Sequence, residues 1–313
     1  MTALSRRTLA QLVCLLAIVI VAVAMMVQGP APVAPRAAPP VDAGDPRPLR
    51  AEPTVDPPTA HDRVVDRLDR VSRNAHVAVS LRDEESGATF GHGRGRFATA
   101  SLVKVHLVAL MSWRAEQRGV GFTASQRRDA EAMLVRSDND AALRAYFALG
   151  GPVGIERDLR AAFGTRGVQV GDNGFWGHSY TTPRAVVRLL DRVLDRRART
   201  FAVLQDAMSR VVPEQRWGVS VLADDGTPVQ VKVGWVRDPD GWIVNSSGRV
   251  VVDGSPVLIS VMTDRNPTFE AGVETVEKVA RLAGKLVRAD RAASEVRSEV
   301  RWQDLGDRIR AGR

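Results

Sequence analysis

Apolar residues run almost unbroken from about Leu9 to Val27, behind the short basic stretch Ser5-Arg6-Arg7. A basic start followed by such a run is an export signal. The run approaches the roughly 20 residues that cross a bilayer, which favours an uncleaved anchor with the remaining chain outside. Cleavage after Ala24 is the alternative, giving a secreted protein. From Gln28 to about Thr59 the chain is rich in Pro and Ala, with few large apolar residues. Such a segment is an extended spacer.

The pattern changes at His61. Val64, Leu68 and Val71 recur at helical spacing up to Ala75. His76–Leu81 and Thr89–His92 flank Glu84-Glu85-Ser86-Gly87 and predict a hairpin. An apolar helix opens at Ser101. Thr123 to Met208 is mostly helical, broken by one loop from Gly164 to Thr182. The segments Trp217–Ala223, Pro228–Val236, Trp242–Val252 and Val257–Thr263 read as strands, and Glu270 to Val287 as a closing amphipathic helix. Strands separated by a helical insertion predict an α+β fold: an antiparallel β-sheet flanked by terminal helices, with an all-helical subdomain. A substrate cleft is expected where the two halves meet. The predicted organisation is an export segment over 1–27, a linker over 28–60, a folded domain over 61–290 and a charged tail over 291–313.

Composition adds little to this outline. The chain is 44% hydrophobic and 26% charged, ordinary for a globular protein. Its net charge of +8 is spread over arginines that often sit beside acids, as in Asp66-Arg67 and Asp191-Arg192. No dense basic stripe forms, so nucleic acid is not an expected partner. The one cysteine, Cys14, lies in the apolar run, so the domain has no internal disulfide and no thiolate metal site. The histidines are scattered, and no metal or other cofactor is expected.

Three short motifs carry the candidate chemistry. In Ser101-Leu102-Val103-Lys104, positions i and i+3 share a helix face, so the amine can reach the hydroxyl. A serine hydroxyl needs a neighbouring base to act as a nucleophile, and a desolvated lysine can be that base. Taken alone, the motif carries little weight and reads as an N-cap serine beside a surface lysine. Ser137-Asp138-Asn139 offers a second hydroxyl for proton transfer and an amide for a substrate amide. Alone, it reads as a helix cap. Lys232-Val233-Gly234 lies in a strand, where the lysine supplies positive charge and the glycine allows a substrate backbone to approach.

In that order, the three motifs resemble the signature set of class A β-lactamases and penicillin-binding proteins. Gly150-Gly151-Pro152 and Thr181-Thr182-Pro183 are similar to stretches flanking that family's active-site loop, and the resemblance covers about Val64 to Leu286. It implies that Ser101 is the acyl-forming nucleophile and Lys104 its activating partner. Ser137 would pass a proton to the leaving nitrogen, and Lys232 would bind a carboxylate and tune Ser137. Asn139 would contact the substrate amide, with Asp138 structural. An oxyanion hole is implied from the N–H of Ser101 and a second N–H after Gly234, with Val236 the expected donor. Trp235 stands beside it as a candidate pocket residue. The implied substrate is a β-lactam or a cell-wall peptide-like molecule.

Two departures bear on turnover. The family's deacylating glutamate, expected on the loop before Thr181-Thr182-Pro183, has no counterpart between Glu156 and Glu214. Glu156 itself reads as an exposed helix residue. Asp172 and His178 are the loop's candidate substitutes, and without a positioned base the acyl-enzyme should persist. Val233 stands where the family has a hydroxyl, which predicts a weakened carboxylate contact. The competing reading is a non-catalytic binding module on the same fold.

Overall fold

The computed structural model describes residues 59–164, 167–195 and 197–311, the last of these as backbone alone beyond Ser294. The predicted export segment and nearly all of the linker lie outside the described residues. Helix α1 (Ala60–Asn74) starts at a reciprocal cap: Thr59 Oγ1 accepts from the N–H of Asp62, and Asp62 Oδ2 accepts from the N–H of Thr59. Its predicted stripe of Val64, Leu68 and Val71 is buried.

Strands β1 (His76–Asp83) and β2 (Thr89–His92) form the predicted hairpin. A short strand β3 (Phe97–Ala98) leads to a tight turn, Ala100–Leu102, and then to helix α2 (Val103–Gln117). The helical block continues as α3 (Ala124–Val135), α4 (Asn139–Ala148) and α5 (Gly151–Phe163). Beyond the loop come strand β4 (Tyr180–Thr181), which pairs with β3, and helices α6 (Pro183–Val193) and α7 (Ala202–Ser209). Strands β5 (Gln230–Asp238), β6 (Gly241–Val252) and β7 (Ser255–Asn266) follow, then helix α8 (Phe269–Ala311).

The main sheet is antiparallel in the order β2-β1-β7-β6-β5, so β5 is an edge strand. Its pleat separates two cores. Ala78, Leu258 and Met262 join the helical block on one face. Val77, Val79, Val231, Val233, Val257 and Ile259 face the other way, with α1 and α8. This is the α+β fold predicted, with an all-helical subdomain on one side of the sheet.

Two boundaries differ from expectation. Trp217–Ala223 is a short helical turn, Gly218–Leu222, and not a strand. Gly218 has φ +81, and a Cβ there would lie within 2.4 Å of Ser246 Cβ and Oγ. The chain therefore curls over β6, where Ser246 Oγ accepts from the N–H of Val219 at 3.0 Å. Helix α8 also runs past Val287. Arg288 pairs with Asp253, and Arg291 with Asp83, which fixes the helix beyond its apolar stripe.

Candidate active site

The site is built where the Ala100–Leu102 turn meets edge strand β5 and the start of α4. Ala100 has φ +45, unusual for a residue with a side chain, and it is buried. Such a turn persists only when its surroundings hold it. Asn245 on β6 donates from Nδ2 to the carbonyls of Ala98 at 2.9 Å and Thr99 at 3.2 Å. The N–H of Thr99 donates to the carbonyl of Ser179 at 2.7 Å. From β5, Gly234 presses against the same turn: a Cβ there would lie 2.7 Å from both Leu102 N and Thr99 O, and 2.9 Å from Ser101 N. The glycine is required because two backbones meet.

Ser101, half-buried, is thereby placed beside Lys104. Lys104 Nζ has Ser101 Oγ at 2.9 Å, Ser137 O at 2.6 Å, Ser137 Oγ at 3.1 Å and Asn139 Oδ1 at 2.8 Å. An ammonium has three protons for these four acceptors. Burial pushes the Lys104 amine down to about 7, opposed by the nearby charge of Asp138. The indole of Trp176 covers Lys104, 4.8 Å from Nζ to the ring centroid.

Ser137 joins the two lysines. It sits at φ +62, just before α4. Its Oγ accepts from Lys232 Nζ at 3.0 Å as well as from Lys104. Lys232 also donates to the carbonyl of Val233 at 2.9 Å. Burial, with Lys104 close by, holds the Lys232 amine well below the usual lysine range. Asp138 caps α4, accepting from the N–H of Ala141 at 2.7 Å.

The structure thus gathers Ser101, Lys104, Ser137, Asn139, Lys232 and Gly234 into one cluster. It treats the other candidates differently. Both lysines are fully enclosed; the Lys232 amine meets Ser137 Oγ and the Val233 carbonyl and has no exposed surface, unlike the open carboxylate contact that the resemblance implied. The Val233 side chain is also fully buried, in the core with Val231 and Val244. Strand alternation turns it away from Lys232 and the serine cluster, and not towards them as the motif implied. Trp235 packs with Trp217 and Phe269, at ring-centroid distances of 5.9 Å and 5.7 Å, outside the serine cluster. In an antiparallel ladder a residue's N–H and C=O point to the same edge, and alternate residues share that edge. The carbonyl of Val233 faces out to Lys232, so the N–H of Trp235, and not that of Val236, shares the free edge of β5.

On the loop, Glu156 is not exposed as expected. It is half-buried, and its Oε1 accepts from the N–H of Val170 at 2.9 Å, tethering the loop. Asp172 and His178 are exposed and hydrogen-bond neither serine nor either lysine. Among the described residues no cluster of His, Cys, Asp or Glu is arranged to hold a metal, and no helix is long and apolar enough to cross a membrane. The motifs themselves did not reveal Trp176 and Asn245, whose roles depend on tertiary placement.

This architecture is that of a serine active-site domain with an antiparallel sheet and a helical subdomain. The chain matches the beta-lactamase enzyme family over residues 119–287, more than half its length, and it belongs to that family. No curated protein matches it in sequence. Its fold is similar to a class A beta-lactamase from Mycobacterium abscessus, with a TM-score of 0.60 and 21% identity, covering 72% of this chain and 98% of that one. A beta lactamase from Burkholderia vietnamiensis gives a TM-score of 0.62 and 20% identity, over 74% and 98% of the two chains. One from Chitinophaga pinensis gives 0.62 and 17%, over 72% and 99%.

Proposed function

We propose that this protein is an exported serine acyl-transfer enzyme, held at the outer face of the membrane by residues 9–27 or released by cleavage after Ala24. Ser101 is acylated by a β-lactam or a cell-wall peptide-like amide, and the acyl-enzyme turns over slowly. The observation that carries this reading is the Lys104 amine, held near neutrality and within 2.9 Å of Ser101 Oγ.

Two of the amine's four partners, the Ser137 carbonyl and Asn139 Oδ1, can only accept. In the neutral amine they take its two N–H groups and leave the lone pair for the Ser101 hydroxyl proton. Ser101 Oγ then attacks the acyl carbonyl, and its proton passes to Lys104. When the carbon–nitrogen bond breaks, Ser137 Oγ gives its proton to the leaving nitrogen and recovers one from Lys104. Lys232 holds Ser137 in place and favours its transient negative charge. The N–H groups of Ser101 and Trp235 supply the oxyanion hole.

Slow deacylation follows from what surrounds Lys104. The family's water-activating carboxylate has no counterpart: among the described residues no carboxylate hydrogen-bonds the cluster, which leaves Lys104, itself bonded to Ser137 and Asn139, as the base beside Ser101. Trp176 occupies the space over the amine instead. That missing carboxylate also favours the second reading, a binding module on the same fold.

Intact mass of the purified full chain, with and without a penicillin, tests the proposal beside Ser101→Ala. The expected result is a gain of one penicillin that persists for hours and is absent in the variant. Rapid return to free protein with hydrolysed drug overturns slow turnover. Absence of any adduct across several β-lactams and amide or ester acyl donors overturns acyl transfer in favour of the binding module.

A further inference from the structure

Arginines that are far apart in the sequence meet in a groove to which the serine cluster contributes no residue. The groove, about 740 Å³ in volume, lies between α6 and strands β1 and β2, with β2 the edge strand of the sheet. Four arginines line it, Arg82, Arg94, Arg184 and Arg188, against one acid, Asp191. Arg184, Arg188 and Asp191 stand at i, i+4 and i+7 on α6 and share one helix face. Arg82, on β1, pairs with Asp191, Nε to Oδ1 3.1 Å, and donates to the Gly87 carbonyl at 3.3 Å. That leaves Arg94, Arg184 and Arg188, all exposed, with no acidic partner among the described residues.

The floor beneath these charges is small and polar. Ala78 packs with α6 in the helical-side core, and alternation puts Ser80 and Arg82 on the same face. Their partners on β2 are Gly91 and Thr89. The hydroxyls of Ser80 and Thr89 have no hydrogen-bond partner among the described residues. Ser80 is buried while the three arginines are exposed, so the charges stand above the floor. The two rings of β2, Phe90 and His92, alternate to the opposite face. There they meet His61, at a ring-centroid distance of 6.3 Å, and Asp69, at 3.5 Å, both on α1.

Guanidinium groups fork onto phosphate oxygens, and free hydroxyls complement the hydroxyls of a polyol. Four residues of helix advance about 6 Å, so Arg184 and Arg188 can hold successive charges of one chain. A flat bilayer of anionic headgroups would meet the arginines and leave the floor unused. Bases would find no ring to stack on, which disfavours nucleic acid. We infer that the groove binds a phosphodiester chain built on a polyol or sugar, and that it holds the domain on that polymer. The binding is separate from acylation at Ser101.

Fluorescence anisotropy of the full chain in detergent, with a short labelled glycerol phosphate oligomer, tests this. The groove variant R94Q/R184Q/R188Q is set beside R118Q/R127Q/R128Q, which removes the same charge from the helical subdomain. Expected is salt-sensitive binding that weakens about tenfold or more in the groove variant, as loss of even one charged hydrogen bond implies. The second variant and Ser101→Ala bind as the unmodified protein does. Arg188→Glu, a single exposed change, should weaken binding in the same direction, and thermal unfolding confirms that each variant is folded. Equal losses in the two triple variants overturn the inference in favour of diffuse charge. Tighter binding of single-stranded DNA or of a glutamate oligomer of equal charge overturns the assignment to a phosphodiester polyol. Absence of binding at low salt overturns the groove as a site and leaves the acyl-transfer reading untouched.

Discussion

The Trp176 ring lies over the Nζ of Lys104, 4.8 Å from its centroid. The indole takes the place of water at the one amine near enough to deprotonate Ser101. Desolvation is the main reason that this amine is held at about 7, against a usual 10.5. The acylation rate should therefore rise with pH through about 7 and then level, because only the neutral amine accepts a proton. Trp176→Ala admits water, favours the ammonium and moves that midpoint up by about one unit or more. Acylation rates measured from pH 5 to 10 check both statements. A midpoint that stays put in the variant would exclude Trp176 as the desolvating group.

Gly234→Ala tests the contact between β5 and the nucleophile turn. Its Cβ would meet the backbone of Leu102 and Thr99 at 2.7 Å, and neither strand nor turn can yield alone. A loss of about 1–3 kcal/mol in stability is expected. The larger effect falls on acylation, which drops by about a hundredfold because the reacting groups shift relative to each other. Thermal unfolding and adduct formation are the two measurements, and an unchanged acylation rate would contradict the account.

Asn245 should matter out of proportion to its distance from the motifs. Asn245→Ala removes the side-chain donor to the carbonyl of Ala98 and one of two donors to that of Thr99, which keeps the N–H of Leu102, at a cost of about 1–3 kcal/mol. Asn245→Asp is the harsher change, because a buried carboxylate would face those two carbonyls. Denaturant unfolding should rank the proteins as asparagine, alanine, aspartate in falling stability. The reverse order of the two variants would refute the donor role.

Much of this was legible in the chain because the fold uses simple periodicities. The stripe Val64, Leu68, Val71 and the hairpin around Gly87 are local patterns, and the structure reproduces them. The three motifs carried the residues of the serine cluster, which the fold then brings together. What was not legible depends on phase and on distant partners. The alternation of β5 puts Lys232 and Gly234 on one face, so Val233 must turn to the core. The expectation for Val233 followed the motif and ignored the pleat. The expectation for Val236 likewise overlooked which backbone groups face the free edge. Trp217–Ala223 alternates like a strand, yet its course is set by Ser246, which is far off in sequence. Asn245 and Trp176 act only through tertiary contacts, and no spacing announces them.

His106 supplies a pH dependence separate from chemistry. It lies two residues past Lys104 on α2, is 1% exposed, and has no well-formed hydrogen bond at either ring nitrogen. Burial lowers its pKa from 6.5 to about 4, and the Leu102 carbonyl offsets this only in part. The folded state therefore keeps the ring neutral at pH values where the unfolded chain protonates it. Stability from this site is fully present above about 6.5, falls as the pH drops, and levels below about 4 where both states bind the proton. The difference is on the order of 3 kcal/mol. Urea unfolding at pH 7.5, 5.5 and 4 should show that decline on top of any loss from the carboxylates. His106→Leu, similar in volume and without a proton to bind, should flatten it while leaving stability at pH 7.5 close to that of the unmodified protein. A decline of the same size in His106→Leu would assign it to other groups.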